Sequence, residues 1–159
     1  MLTIIPTDFA LPVHRAAFLH LLDHYAHDPM GGGVGLSEFA KEHLVDGLAA
    51  RANFASRLAF DGNSPVGLIN CFEGYSTFAA RPLLNIHDIV VHADFRGRGV
   101  GRALLAAAEE LARERGCCKL TLEVLEGNRV ARAAYQACGF GGYELTPETG
   151  QALFLEKKL

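Results

Sequence analysis

Apolar residues recur along the chain with two different periods, which predicts a mixed α/β domain. Four segments carry apolar side chains at helical spacing, and they predict helices over residues 13–25, 38–49, 102–115 and 128–138. Shorter runs rich in strand-forming residues predict strands over 2–5, 56–60, 66–72, 84–91, 119–124, 143–145 and 152–157. We therefore expect one sheet of about seven strands flanked by four helices.

Two of these segments carry further local signals. Ser37 stands where it can cap the second helix. The buried stripe of that helix is expected at Phe39, Leu44, Val45 and Leu48. Residues 84–91 are dense in Leu, Ile and Val, as a central strand buried on both faces should be. Because a helix and another strand follow this run, we expect a strand-helix-strand crossover there.

A glycine-rich loop, Arg96–Gly101, lies between the predicted strand over 84–91 and the helix over 102–115. Its glycines allow consecutive backbone N–H groups to crowd around one point where the helix begins, and a helix N-terminus carries about half a positive charge. Arg96, Arg98 and Arg102 add fixed positive charge. The loop therefore predicts a binding site for a pyrophosphate.

Two common phosphate-binding motifs do not fit this loop. A P-loop needs a Lys-Ser or Lys-Thr pair after its last glycine, and Arg102-Ala103 follows here. A dinucleotide fingerprint needs its third glycine at Arg102, although Glu123 stands where a ribose-binding acid would be expected. The loop also begins past the middle of the chain, which leaves no room for two mononucleotide-binding halves.

A third motif fits more of the chain. The pattern Arg/Gln-x-x-Gly-x-Gly/Ala is matched by Arg96, Gly99 and Gly101, and it resembles the acetyl-CoA signature of the GNAT family of N-acetyltransferases. Residues 128–140, NRVARAAYQACGF, resemble that family's second motif, Asn-x-x-Ala-x-x-x-Tyr-x-x-x-Gly-Phe. Two motifs in the right order are far more specific than either motif alone.

The resemblance implies a GNAT fold, with residues 1–159 forming a single N-acetyltransferase domain. This fold is α/β, with a mixed, largely antiparallel central sheet that contains a splayed parallel pair. Acetyl-CoA would be the acyl donor, and no metal is implied. The positions that would contact it are Ile89, Val90, Val91, Arg96, Gly97, Arg98, Gly99, Val100, Gly101, Arg102 and Asn128. Tyr135 matches the position of the family's general acid.

The general base is less well defined by the sequence. Strand alternation would place His87 and Asp88 on opposite faces, with Ile86 on the face of Asp88, unless a bulge intervenes. Diamine-acetylating members of the family often carry an acidic pair at these two positions. An imidazole can take a proton from an ammonium through water, whereas an aspartate more naturally anchors it. We take His87 as the candidate base and Asp88 as the candidate amine anchor; a satisfied buried polar residue is the alternative for each.

Composition limits the other functions that the chain could serve. Half of its 159 residues are hydrophobic, 21% are charged, and the net charge of −3 gives no general attraction for nucleic acid or an anionic membrane. The first residues do not show a charged n-region followed by an apolar h-region, and no apolar run approaches the roughly 20 residues that span a bilayer. We expect a cytoplasmic protein.

The cysteines are not spaced as metal ligands, whereas three histidines share one helix face. The cysteines are Cys71, Cys117, Cys118 and Cys138, and we expect them to be reduced, with Cys71 and one of the adjacent pair in the core. His20, His24 and His27 share one helix face and could in principle hold a metal. A solvated or cleft-lining face is much commoner, so no metal is expected.

The resemblance implies an enzyme that transfers acetyl from acetyl-CoA to a primary amine of a small molecule, by direct attack in a ternary complex. A protein N-terminus or lysine is the alternative acceptor. A non-catalytic acyl-CoA sensor is an alternative of another class, because it would need the loop but not Tyr135. The oligomeric state, monomer or homodimer, is left open.

Overall fold

Four helices and five strands are present in the computed structural model, which describes residues 1–159. The residues fall into two compact units, 1–122 and 123–159. The first unit contains β1 (Leu2–Pro6), α1 (Pro12–His27), α2 (Glu38–Ala49), β2 (Phe54–Asp61), β3 (Ser64–Ser76), β4 (Arg81–Val91), α3 (Val100–Glu114) and β5 (Leu120–Leu122). The second unit contains α4 (Arg129–Ala137). No helix is long and apolar enough to cross a bilayer.

The five strands form one mixed sheet in the order β1-β2-β3-β4-β5. The first three pairings are antiparallel, and β4 pairs with β5 in parallel. The prediction of about seven strands was wrong. The expected closing pair, 143–145 with 152–157, is reduced to one antiparallel bridge between Glu144 and Gln151. Two such short segments form too few ladder bonds to make a stable hairpin by themselves.

One face of the sheet packs against α1 and α2. Leu58, Leu68 and Val90 lie opposite one another on three adjacent strands and join a core with side chains of these helices, including Phe18 and Val45. The Oγ of Ser37 accepts a hydrogen bond from the N–H of Ala40 at 3.1 Å, which confirms the predicted cap of α2. Phe39 was expected in the buried stripe but is 71% exposed, with its ring stacked on His43.

The other face packs against α3, which approaches β3 at Gly67. A Cβ at Gly67 would lie 2.7 Å from the carbonyl oxygen of Val90 and 3.1 Å from Cγ1 of Val100. Only a glycine allows this close approach of the helix. Cys71 lies on the same face and is buried, as predicted, and burial raises the pKa of its thiol to about 12. All four cysteines are free.

Candidate active site

The glycine loop follows β4 and opens directly into α3. Gly97 has φ +75° and Gly99 has φ +82°, a left-handed conformation that favours glycine. The first three N–H groups of α3, at Val100, Gly101 and Arg102, have no partner within the helix. A Cβ at Gly97 or Gly99 would meet no heavy atom within 4 Å, so the loop is open on that side. This donor set fits the phosphates of a CoA molecule.

The arginines of the loop have different surroundings. Nη2 of Arg96 donates to Oδ2 of Asp28 at 2.8 Å, and its Nε donates to the carbonyl of Val91 at 3.3 Å. The N–H of Met30 and the Arg96 guanidinium hold the pKa of Asp28 below its usual range. Arg96 thereby ties the loop to the segment that follows α1. Arg98 lies over the ring of Phe95 at 5.0 Å, and its side chain is exposed beside the loop.

β4 continues beyond the end of its parallel partner. Pairing with β5 ends at Ile86–Leu122, whereas β4 continues to Val91. The N–H of His92 donates to the carbonyl of Val66 at 2.9 Å, so His92 and Val66 are a hydrogen-bonded pair of the β3–β4 ladder. Hydrogen-bonded and non-hydrogen-bonded pairs alternate along an antiparallel ladder. Val90 therefore turns its main-chain N–H and C=O toward β3, whereas Ile89 and Val91 turn theirs toward the opposite edge. Of these three predicted contacts, Ile89 and Val91 therefore offer backbone groups at that edge.

A β-bulge in β4 lies at His87. Asn70 pairs with Asp88 and the next residue, Cys71, pairs with Ile86, so His87 is the extra residue of its strand. The bulge places Asp88 on the face of the sheet that packs against α1, while Ile86 lies on the α3 face. Simple alternation, which would have put Ile86 and Asp88 on one face, is therefore wrong for this strand, because the extra residue changes the phase.

Asp88 and His87 are both tied to groups on β3. Nδ2 of Asn70 donates to Oδ2 of Asp88 at 3.0 Å. The ring of His87 meets the ring of Phe72 edge-on, with 5.3 Å between their centroids. Burial, and then the negative charges of Asp88 and Asp28, raise the pKa of Tyr25 on α1. Asp88 is the acidic side chain that β4 places on this face of the sheet, and its carboxylate could pair with a cation.

Of the three histidines predicted to share one face of α1, two contact the same residue and the third does not. His20 and His24 stack on the ring of His92, with centroids 5.9 and 4.3 Å away, whereas Nδ1 of His27 lies 2.8 Å from the carbonyl oxygen of Asp23. Nε2 of His24 accepts from the N–H of Ala93 at 3.2 Å. Burial, and then the neighbouring His92 and Arg96, lower the pKa of His24. No group of three or more His, Cys, Asp or Glu side chains is arranged to hold a metal ion.

The second unit contains the residues of the second motif. Asn128 caps α4, because its Oδ1 accepts from the N–H of Ala131 at 3.2 Å. The ring of Tyr135 meets that of Phe140 edge-on at 6.0 Å. Gly139 ends the helix with φ +88°. The roles of Asn128 and Tyr135 toward acetyl-CoA stay predictions.

Sequence reasoning missed two residues that contact the candidate site residues. Asn70 is one polar residue within the apolar run from Val66 to Phe72. This break in the pattern was the sequence signal that could have identified it as a candidate site residue. Asp28 lies in a glycine-rich break and is 68 residues away from Arg96, so no local pattern pointed to the pair.

Comparison with known proteins identifies relatives of this chain. The sequence model of the acetyltransferase (GNAT) family matches residues 20–140. A thialysine N-epsilon-acetyltransferase of Bos taurus is 33% identical over 93 residues, which are 58% of this chain and 53% of that protein. A glucosamine 6-phosphate N-acetyltransferase of Trypanosoma brucei brucei is 27% identical over 134 residues, which are 81% of this chain and 84% of that protein.

Solved structures share the fold. The aminoglycoside acetyltransferase AAC(6')-Iy, in complex with a CoA-containing bisubstrate analogue, has a TM-score of 0.78 at 20% identity, over 100% of this chain and 99% of that chain. The chain spans about half or less of the length of several curated relatives that it matches, with shares of 53%, 34%, 51% and 36%. Since the family's sequence model covers most of its residues, the chain belongs to the acetyltransferase (GNAT) family.

Proposed function

We propose that this protein is an N-acetyltransferase that transfers the acetyl group of acetyl-CoA to a primary amine of a small molecule. The observation that carries the proposal is the open loop of left-handed glycines at the start of α3, next to a strand that outlasts its parallel partner. The loop suits the pyrophosphate of CoA. The amides of the pantetheine chain can pair with the backbone of Ile89 and Val91 as a further strand would.

The reaction needs three further tasks, and each has a candidate residue. Asp88 anchors the acceptor ammonium, and His87 takes a proton from it through water. The amine nitrogen then bonds to the acetyl carbon, whose carbonyl is polarised by backbone N–H groups of β4, as its carbon–sulfur bond breaks. The departing thiolate takes a proton from a general acid, a role that the second motif implies for Tyr135, and the second proton that the acylated nitrogen loses returns to this acid.

The electrostatics of the α1 face support a cationic acceptor. Asp28 is already paired with Arg96, so Asp88 is the carboxylate of this face that could stabilise an ammonium. The names of two relatives, for thialysine and for glucosamine 6-phosphate, also refer to small amines. A small-molecule amine is therefore proposed before a protein N-terminus or lysine.

The experiment is a turnover screen with acetyl-CoA over diamines, amino sugars, amino acids and peptides with free N-termini or lysines. We expect thiol release with at least one small amine. Tyr135→Phe should lower kcat by roughly 10²-fold while CoA binding, measured by calorimetry, is retained. If no amine is acetylated although CoA binds, the enzyme proposal is rejected in favour of an acyl-CoA sensor.

A further inference from the structure

Polar side chains form a row across the sheet, underneath α1. Ser56, Asn70 and Asp88 lie opposite one another on β2, β3 and β4. The neighbouring row on one side is apolar and consists of Leu58, Leu68 and Val90. Ser56 and Asn70 are themselves buried. Polar groups at such depth reduce stability unless they are hydrogen-bonded, so the partners of this row are informative.

Asn70 is the central member of the row and is only 1% exposed. Its Nδ2 donates to Oδ2 of Asp88 at 3.0 Å, whereas its Oδ1 has no hydrogen-bond partner. The amide must have this orientation toward an ionised carboxylate, because a carboxylate can only accept. An apolar residue of similar volume would avoid the unpaired oxygen. Packing of the core therefore does not explain the asparagine.

We infer that Asn70 is a positioning residue that holds Asp88 in the orientation that binds the acceptor ammonium. This inference rests on the proposed function. Asp88 directly follows the bulge residue, where the strand ladder is irregular, so its orientation is less restrained by its neighbours along the strand. The Asn70 amide engages Oδ2 and leaves Oδ1 of the carboxylate to accept from the ammonium. Asn70 itself touches neither substrate.

The first test separates binding of the acceptor from chemistry. In Asn70→Ala, KM for the best amine of the screen should rise about tenfold, the loss expected for one charge-assisted hydrogen bond, while kcat changes much less. Ser56→Ala is the matched control, because it removes another buried polar group of the same row. Oγ of Ser56 accepts from Thr7 at 2.9 Å and does not contact Asp88. Its KM should equal that of the wild type.

The second variant is isosteric and guards against misfolding of Asn70→Ala. Asn70→Asp places a second carboxylate at hydrogen-bonding distance from Asp88, and two such groups titrate as a pair in which one proton is held to higher pH. The pH profile of log(kcat/KM) for the amine should gain an ionisation that the wild type lacks. A purely structural role would not produce it. Equal amine KM values in Asn70→Ala and Ser56→Ala, with no new ionisation in Asn70→Asp, would overturn the inference.

A third measurement needs no turnover. The side-chain amide resonances of Asn70, assigned by their loss in Asn70→Asp, should shift much more in Asp88→Ala than in Ser56→Ala, which changes the other cross-strand neighbour of Asn70 but keeps its hydrogen bond to Asp88. If these resonances do not respond to Asp88→Ala, the inference is wrong even when amines are acetylated. If they respond but the wild type acetylates no amine, the proposed function fails, and Asn70 still stands as the residue that holds Asp88.

Discussion

Replacing Gly99 by valine should weaken CoA binding while the protein stays folded. Gly99 has φ +82° and ψ 0° and is the last residue before α3. A Cβ at this position meets no heavy atom within 4 Å, so the substitution creates no clash within the protein. Its cost is conformational, about 1–2 kcal/mol for a side chain forced into the left-handed region.

This energy can appear in either of two measured quantities. If the loop keeps its conformation, the free energy of unfolding falls by that amount, which is small beside the roughly 5–15 kcal/mol of a typical domain. If the loop relaxes instead, CoA must restore the conformation on binding, and about 1–2 kcal/mol corresponds to a roughly 5- to 30-fold higher Kd. The isopropyl group also stands on the open side of the loop, where a phosphate would approach the backbone.

Isothermal titration calorimetry with CoA measures this effect, and thermal unfolding reports on the fold. Gly62→Val is the matched control. Gly62 has φ +60° and also has no heavy atom within 4 Å of its Cβ position, but it lies in the β2–β3 turn. Gly62→Val should lose similar stability and keep wild-type CoA affinity. Unchanged affinity in a folded Gly99→Val protein would show that the loop does not bind CoA.

Four further outcomes are expected. Because the pKa of His24 is lowered in the folded state, the unfolded chain binds more protons, so stability should fall as pH drops below about 6.5. In thermal unfolding at pH 7.5 and 5.5, His24→Gln should flatten this dependence, and a dependence as steep as that of the wild type would contradict the assignment to His24. Gly67→Ala should lower the free energy of unfolding in urea by about 1–3 kcal/mol, because its Cβ would press on the backbone of β4; an unchanged midpoint would contradict the close packing. Mass spectrometry after iodoacetamide treatment at pH 8 should find Cys71 unmodified in the folded protein and alkylated once it is unfolded, since its pKa of about 12 and its burial suppress the thiolate. His87→Ala should lower kcat/KM roughly 10²-fold and abolish the rise of log(kcat/KM) with pH that deprotonation of the base produces. An unaltered pH profile of kcat/KM would exclude His87 as the base.

The helices and the glycine loop could be predicted from the sequence because their signals are local. Helical spacing of apolar residues, the cap at Ser37 and the glycines at 97 and 99 each act within a few residues. The bulge at His87 could not be predicted, because an extra residue in a strand is defined only once the partner strand is in register. The Asp28–Arg96 pair also depends on tertiary contact.

The predicted closing strands failed for a related reason. Their side chains have strand propensity, but propensity gives no register and no partner. Asn70 shows the same limit within the candidate site. Its break in an apolar run was visible in the sequence, whereas its bond to Asp88 required the pairing of β3 with β4.

Because of the bulge, β4 is one residue longer than its pairing with β3 requires, but this extra residue does not change which face each of the other side chains occupies. Ile86 and Asp88 already lie on opposite faces, as two adjacent residues of a regular strand would. Deleting His87 would therefore leave every other side chain of β4 on its present face, with the same partners on β3. In an alignment with related chains, a one-residue gap at His87 would preserve both the core and the position of Asp88. The candidate base is thus a residue inside this strand whose gain or loss leaves the other side chains on their faces of the sheet.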